Sequence, residues 1–382
     1  MRQLILLMMC AIATAESTAN IMEDVEVPAT AHRILMLAPA AMPSHTIAFM
    51  EIASVLADRG HQITVAVPRK FGRANMREIV LPVKTIQVPN AFQGRLATTS
   101  LINEWVPMCL SALGSQEIQD LKKEEFDLII LLAVMSECFV SLVHDMQVPY
   151  ILTTPLKLVG TTAFWLAGNP MFYSMTPGFM TGAVPGDSGL TYLDKFGVIG
   201  TEGMSTAIIT YCYWNMDVEC RKQGLCAPDM PNMNELLLNN SLIFVNGIRT
   251  LENPALPIVP GVIYAGGIHL RAPKPVPQDL EEWASESGEE GFIYFSMGSV
   301  VKPSDMPSEY KEALISAFAA LPVRVLWKWD EDSIANLSTN VRLAKWLPQQ
   351  DVLGHPRLRL FITHGGYHST LEAMYNGVPV LG

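Results

Sequence analysis

The stretch Leu358-Arg-Leu-Phe-Ile-Thr363, His364-Gly365-Gly366-Tyr-His368, Ser369-Thr-Leu-Glu372 and, just beyond it, Asn376-Gly377-Val-Pro379 decides the fold. Leu358 to Thr363 reads as a short apolar strand and the two glycines as a flexible turn. Ser369 to Tyr375 reads as a helix with Gly377 past its end, and Val378 to Leu381 as the next strand. A strand that turns straight into a helix N-terminus offers unpaired backbone N–H groups and the positive end of the helix dipole, so it can receive a diphosphate. Ser369-Thr-Leu-Glu372 also has the spacing of a capping box, which any helix could use.

The same unit recurs upstream. Gly291 to Phe295 is a strand, Ser296-Met-Gly298-Ser299 a turn, Ser308 to about Ala320 a helix, and Val325 to Trp329 a strand. Nearer the N-terminus, the strand Arg33 to Ala38 is closed by Pro39, the helix Thr46 to Asp58 ends at Gly60, and Ile63 to Val67 is the next strand. Phe126 to Leu132 repeats the strand and leads through Ser136 into a helix reaching His144. Such βαβ units predict parallel sheets with helices on both faces and ligands beyond the carboxyl ends of the strands, where Ser44 and His45 fall.

Arg271-Ala-Pro-Lys-Pro-Val-Pro277 reads as an extended linker before an acidic helix. It divides the chain into a first domain over 30–270, a linker over 271–278 and a second domain over 279–382. Residues 155–240 are rich in Met, Pro, Gly and aromatics (Trp165, Met171, Phe172, Tyr173), show no clean periodicity and receive no assignment. Those side chains suit an adaptable pocket for an apolar ligand, or equally loops and helices packed on the first domain.

A length of 382 residues suits two domains. A hydrophobic share of 49% with a net charge of −11 excludes a disordered chain and argues against a polyanion binder. Arg2, the apolar run Leu4 to Ala13 and the small residues Ala13-Thr14-Ala15 read as a secretory signal over 1–15, too short for a membrane span. A lumenal, disulfide-permitting compartment follows, and the sequons at Asn239 and Asn336 agree with it. Cys109, Cys138, Cys212, Cys220 and Cys226 have no zinc-type spacing. Cys220 and Cys226 bracket a Gly-containing turn and could pair, or could be two buried small hydrophobes.

Together with Trp346-Leu-Pro-Gln349, the segment from His364 to Pro379 resembles the signature of the UDP-glycosyltransferases, which include animal UDP-glucuronosyltransferases and invertebrate UDP-glucosyltransferases. Weaker resemblance extends back to residue 33. It implies the α/β GT-B architecture, two Rossmann-like domains facing across a cleft, here with the second incomplete. It also implies that Trp346 stacks on uracil, Gln349 bonds its edge, Ser296, His364, Gly366 and Ser369 hold the diphosphate, and Glu372 accepts the ribose hydroxyls. Each role is chemically sensible: an indole offers a π-face, glycine lets backbone approach oxygen, and a carboxylate accepts from a diol. His368 stands where vertebrate members commonly have Asn.

The resemblance makes His45 the base that takes the proton of an acceptor hydroxyl as it attacks the anomeric carbon and UDP leaves with inversion. The family's partner for that histidine is a carboxylate six positions after the Phe of the Phe-Asp-Leu strand. That position is Leu132, which cannot accept an imidazole proton. Glu137, five residues on, is the candidate substitute, its plainer reading being a charge at a helix start.

The implied function is transfer of glucose or glucuronic acid from a UDP-sugar to a small lipophilic acceptor, without a metal or any cofactor beyond the co-substrate. The implied setting is the endoplasmic reticulum lumen, in detoxification, with possible oligomers of family members. Relatives continue past the position of Gly382 into a sugar-binding Asp-Gln pair and a membrane anchor, so apolar surface is expected at the C-terminal end. Two alternatives stand beside this reading. One is a non-catalytic partner that binds apolar ligands or family members, suggested by Leu132. The other is a metal-dependent transferase using the Asp330-Glu331-Asp332 triplet, against which stands an ordinary acidic loop.

Overall fold

The carboxyl ends of two parallel sheets face each other in the computed structural model, which describes residues 30–382 apart from 40–42, 84–97, 134, 156–159, 171–190, 252–257 and 300. The signal over 1–15 and the Met171-to-Met180 stretch lie outside the described residues. In the first sheet the strands are β1 (Arg33–Leu37), β2 (Gln62–Val67), β3 (Arg77–Val80), β4 (Leu128–Leu132), β5 (Tyr150–Thr154), β6 (Ile243–Val245) and β7 (Val262–Tyr264), in the order β3-β2-β1-β4-β5-β6-β7. The second holds β8 (Phe292–Ser296), β9 (Arg324–Lys328), β10 (Val341–Ala344), β11 (Leu358–Thr363) and β12 (Val380–Leu381), in the order β10-β9-β8-β11-β12. All these pairings are parallel.

The strands read as continuous apolar runs because both faces are covered. Successive residues of β1 alternate between two cores: Leu35 and Leu37 join Ile129 and Leu131 on one face, while Ile34 and Met36 join Ile130 and Leu132 on the other. The second sheet divides likewise, with Phe292, Tyr294 and Phe361 on one side and Phe295, Trp327 and Trp329 on the other. Trp327 is fully buried at the centre of an aromatic group with Phe295, Phe318 and Trp329. At the far edge, Val380 and Leu381 of β12 are exposed.

The unassigned region contains helices at Gly160–Ala167, Tyr192–Lys222 and Met233–Leu238. The 31-residue helix defeats periodicity because its buried face mixes carboxylates with Val198, Cys212, Tyr213, Met216 and Cys220 while large apolar side chains are left exposed. It buries Glu202 and Asp217 and exposes Tyr192, Leu193, Phe196 and Trp214. Asp217 is satisfied by the Met233 backbone N–H at 3.2 Å, and Thr191 and Asp194 form a capping box at the helix start. Cys220 and Cys226 form a disulfide, as their spacing allowed. A second disulfide joins Cys109 to Cys138, and Cys212 remains a buried thiol.

The linker is extended between β7 and the helix Gln278–Ser285, but it is not free. Arg271 makes a bidentate ion pair with Asp351 at 2.6 and 3.0 Å, and the Lys274 N–H reaches the same carboxylate at 2.7 Å. Among the described residues no helix is long and apolar enough to cross a membrane.

Candidate active site at two facing switch points

Each sheet reverses its strand order once, between β1 and β4 and between β8 and β11, and such points are where open α/β sheets hold ligands. Ser296 is the last residue of β8 and His364 the first after β11. Leu132 ends β4, and His45 lies in the first turn of the helix Pro43–Asp58 that follows β1. Every candidate except Trp346, Gln349 and Glu137 therefore borders one of the two switch points. Trp346 and Gln349 come from the connection after β10.

On the donor side the groups are cross-bonded. Gln349 accepts from the Tyr294 hydroxyl at 3.2 Å and donates through Nε2 to Ser369 Oγ at 2.9 Å and Glu372 Oε2 at 2.6 Å. The capping-box reading of Ser369 and Glu372 is overturned. The helix starts at Tyr367 with Gly366 as N-cap, so Ser369 sits inside the first turn, and both side chains are held by Gln349 instead. Burial pushes the Glu372 carboxyl up to about 7, against the Gln349 amide and the Arg271 charge.

Trp346 is 53% exposed, too open for plain core, with Lys328 Nζ 4.7 Å and Arg69 Cζ 5.3 Å from its ring centre. Lys328 also donates to the Gly298 carbonyl at 2.7 Å, and burial lowers its pKa to about 8. The His364 ring lies against Gly298 and Gly366. A Cβ on either would come within 2.5 or 2.7 Å of its Cε1, so the glycines give the imidazole its place. Ser296 Oγ accepts from the Gly298 N–H at 3.2 Å.

One cleft is lined from both domains: Ser44, Glu51 and His269 from the first, Arg271 from the linker, and Gly298, Lys328, Trp346, Gln349, Ser369 and Glu372 from the second. His364, Gly366 and Ser296 are not among the residues that line it. Sequence reasoning missed Lys328, although its place at the carboxyl end of β9 was a signal. It also missed His269 and Arg271, for which no local pattern exists.

On the opposite side, His45 and Leu132 line one small cavity with Thr153 and Asn246. His45 is buried, its Nδ1 has no hydrogen-bond partner among the described residues, and burial lowers its pKa to about 4. Glu137 does not fill the place expected of it. It is buried in the first sheet's other core, where it accepts from Trp105 Nε1 at 3.0 Å. The helical turn that carries it points it away from the cleft, and burial raises its pKa to about 7.

Across the cleft the His368 ring lies 6.0 Å from that of His45 and 4.7 Å, edge to face, from that of His269. His269 Nδ1 faces the Asn246 amide at 3.2 Å, and its Nε2 is 3.9 Å from Glu372 Oε1.

The Asp330 and Asp332 carboxylates are spent separately. Asp330 accepts from Ser304 N and Oγ at 2.9 and 2.6 Å, and Asp332 pairs with Lys345 at 2.7 Å. Each carboxylate has a separate protein partner, in keeping with the acidic-loop reading of the triplet. Asn239 and Asn336 are both exposed, as a sequon requires.

The family described as UDP-glucoronosyl and UDP-glucosyl transferase has a model that matches residues 223–382. UDP-glucosyltransferase 2 of Dactylopius coccus is 30% identical over 90% of this chain and 68% of its own length. The chain belongs to the UDP-glycosyltransferase family. The 2-hydroxyacylsphingosine 1-beta-galactosyltransferase of Mus musculus is 30% identical over 93% of the chain and 66% of its own. UDP-glycosyltransferase UGT5 of Dactylopius coccus is 33% identical over 68% of the chain, which spans 48% of that relative.

Among solved structures, a UDP-glucosyltransferase from Polygonum tinctorium capable of glucosylating indoxyl superposes with a TM-score of 0.59 at 17% identity, covering 92% of this chain and 79% of that one. The glycotransferase of kitacinnamycin gives 0.57 at 18%, covering 92% and 80%. The fold of this UDP-glycosyltransferase is accordingly GT-B, as its signature implied.

Proposed function

We propose that the protein transfers a hexose, glucose or glucuronic acid, from a UDP-sugar to the hydroxyl of a small lipophilic acceptor, with inversion and without a metal or further cofactor. The observation that carries this reading is the opposition of the two switch points. A histidine stands on one wall, and 6.0 Å from its ring the helix that would receive a diphosphate begins on the other. In this reading Trp346 stacks on uracil, Gln349 and Glu372 bond the base edge and the ribose, and the helix N-terminus with Ser369 holds the diphosphate. His45 takes the proton of the acceptor hydroxyl as its oxygen bonds to the anomeric carbon. The bond from that carbon to the diphosphate breaks, and its electron pair leaves on UDP.

The two disulfides and the exposed sequons support residence in the endoplasmic reticulum lumen. The test is transfer of radiolabelled sugar from UDP-glucose and UDP-glucuronic acid to a phenol by the full-length protein, with and without EDTA. Transfer unaffected by EDTA is expected. Loss with EDTA, or UDP binding without turnover, would sink it. The second outcome is what the alternative of a ligand-binding, non-catalytic family member requires. Leu132 beside His45 is the observation that favours that alternative.

A further inference from the structure

Leu132 leaves a specific chemical gap. A histidine base works through one ring nitrogen while the other is held by an acceptor that fixes tautomer and ring orientation. Here the carboxyl end of β4 supplies a leucine side chain, and Glu137 is committed to Trp105. Asn246, in the same cavity, is also committed: its Nδ2 faces the Pro155 carbonyl and His269 Nδ1, and its Oδ1 accepts from the Gly267 N–H at 2.9 Å. Three buried histidine ring nitrogens nevertheless lack hydrogen-bond partners among the described residues: His45 Nδ1 from the first domain, His368 Nε2 from the second, and His269 Nε2, which has Glu372 Oε1 at 3.9 Å as a charge neighbour and so leaves the first two to each other.

We propose that His368 is the positioning residue of the His45 base, supplying from across the cleft the hydrogen-bond acceptor that Leu132 does not. The inference rests on the transferase reading. The ring centres are 6.0 Å apart, a span that one bridging water covers. His368 is itself held in place, with His269 packed edge to face against it and His269 anchored in turn by Asn246.

The surroundings keep His368 an acceptor rather than a rival base. Burial, then the neighbouring His269 and His45, lower its pKa to about 3, and it stands in the first turn of a helix whose positive end disfavours an imidazolium. Glu51, Arg271, Lys328 and Glu372 are the charged groups that line the adjoining cleft. In the reaction the acceptor proton goes to His45 Nε2. The Nδ1 proton stays on Nδ1 and is shared with His368, and the diphosphate departing at the same helix end balances the new positive charge.

The test compares His368→Phe, which keeps a ring without nitrogens, His368→Gln, which keeps an acceptor, and Leu132→Asp, alone and with His368→Phe, in the full-length protein. Calorimetric UDP binding reports that each variant folds. Expected is a fall in kcat of roughly 100-fold for His368→Phe, within roughly five-fold for His368→Gln, and rescue of His368→Phe by Leu132→Asp. A His368→Phe loss that is equal with and without Leu132→Asp, or one that only tracks UDP affinity, would overturn it. Nitrogen NMR of His45 tests the contact without turnover: the Nδ1 resonance moves in His368→Phe, and an unmoved resonance overturns the inference. An inactive unaltered protein would instead count against the transferase reading alone.

Discussion

The two walls of the cleft are built from the same strand-turn-helix unit, yet they treat their polar groups in opposite ways. On the donor wall Gln349 ties Tyr294, Ser369 and Glu372 into one network before any nucleotide is present. On the acceptor wall His45 faces a leucine and keeps an unpartnered Nδ1. A cross-bonded wall is preorganised for binding, because its side chains lose little freedom when a ligand arrives. A wall with an orphan nitrogen is one whose chemistry is completed from elsewhere. The hydrogen-bond network of the donor wall is thus local to the second domain, whereas the base depends on the two domains meeting.

The largest expected break concerns His45. His45→Gln should lower kcat roughly 100- to 10,000-fold while UDP affinity, measured by calorimetry, stays unchanged. A matching loss of affinity would mean that the walls are not separable. Next comes the donor network, where Gln349→Ala should weaken UDP binding roughly 10- to 30-fold by releasing Ser369 and Glu372 together, leaving the acid limb of the pH profile in place.

Leu132→Asp sharpens the other side. With His45 held at about 4, kcat of the unaltered protein, read at saturating UDP-sugar so that Glu372 titration in the free site does not enter, should stay level from pH 8 down to about 5 and fall only below that. A carboxylate beside the ring favours imidazolium, so the acid limb should move up by about one to two pH units. An unmoved limb would break the claim that Leu132 borders the base.

The smallest effect is one of stability and lies outside both walls. Glu137 has a folded pKa raised to about 7, so its favourable contribution is fully present below the unfolded value and is lost as pH rises through about 7. Glu137→Gln, which mimics the protonated form and can still accept from Trp105, should match the unaltered protein at pH 5. At pH 8 it should exceed it by about 1–3 kcal/mol in urea melts. A pH-independent difference would show that Glu137 ionises without penalty.

Legibility followed how local the information was. Seven of the twelve described strands are legible, often to within a residue, because parallel strands buried on both faces leave unbroken apolar runs such as Ile129 to Leu132, whereas β3, β5, β6, β7 and β10 are not. The helix Tyr192–Lys222 could not be read, since it buries carboxylates and exposes aromatics. Cys109 and Cys138 gave no pairing signal, being brought together only when the helix Thr98–Leu113 packs against the turn after β4. The Glu137 expectation failed for a related reason. Sequence distance said that it could return toward His45, and only the direction of its helical turn showed that it faces Trp105.

By itself the sequence determined two parallel α/β sheets, a diphosphate-type turn between a strand and a helix, and the absence of a carboxylate at position 132. These are properties of short segments, written in hydrophobic period, glycine placement and residue type. Only the tertiary structure decided which groups meet: His269 from the end of the first domain and His45 from near its start, both against His368 from a helix of the second. It also decided that Glu372 and Glu137 titrate near neutrality. Both follow from burial and from long-range packing, which place a charged or polar group in low dielectric beside partners that no local pattern names.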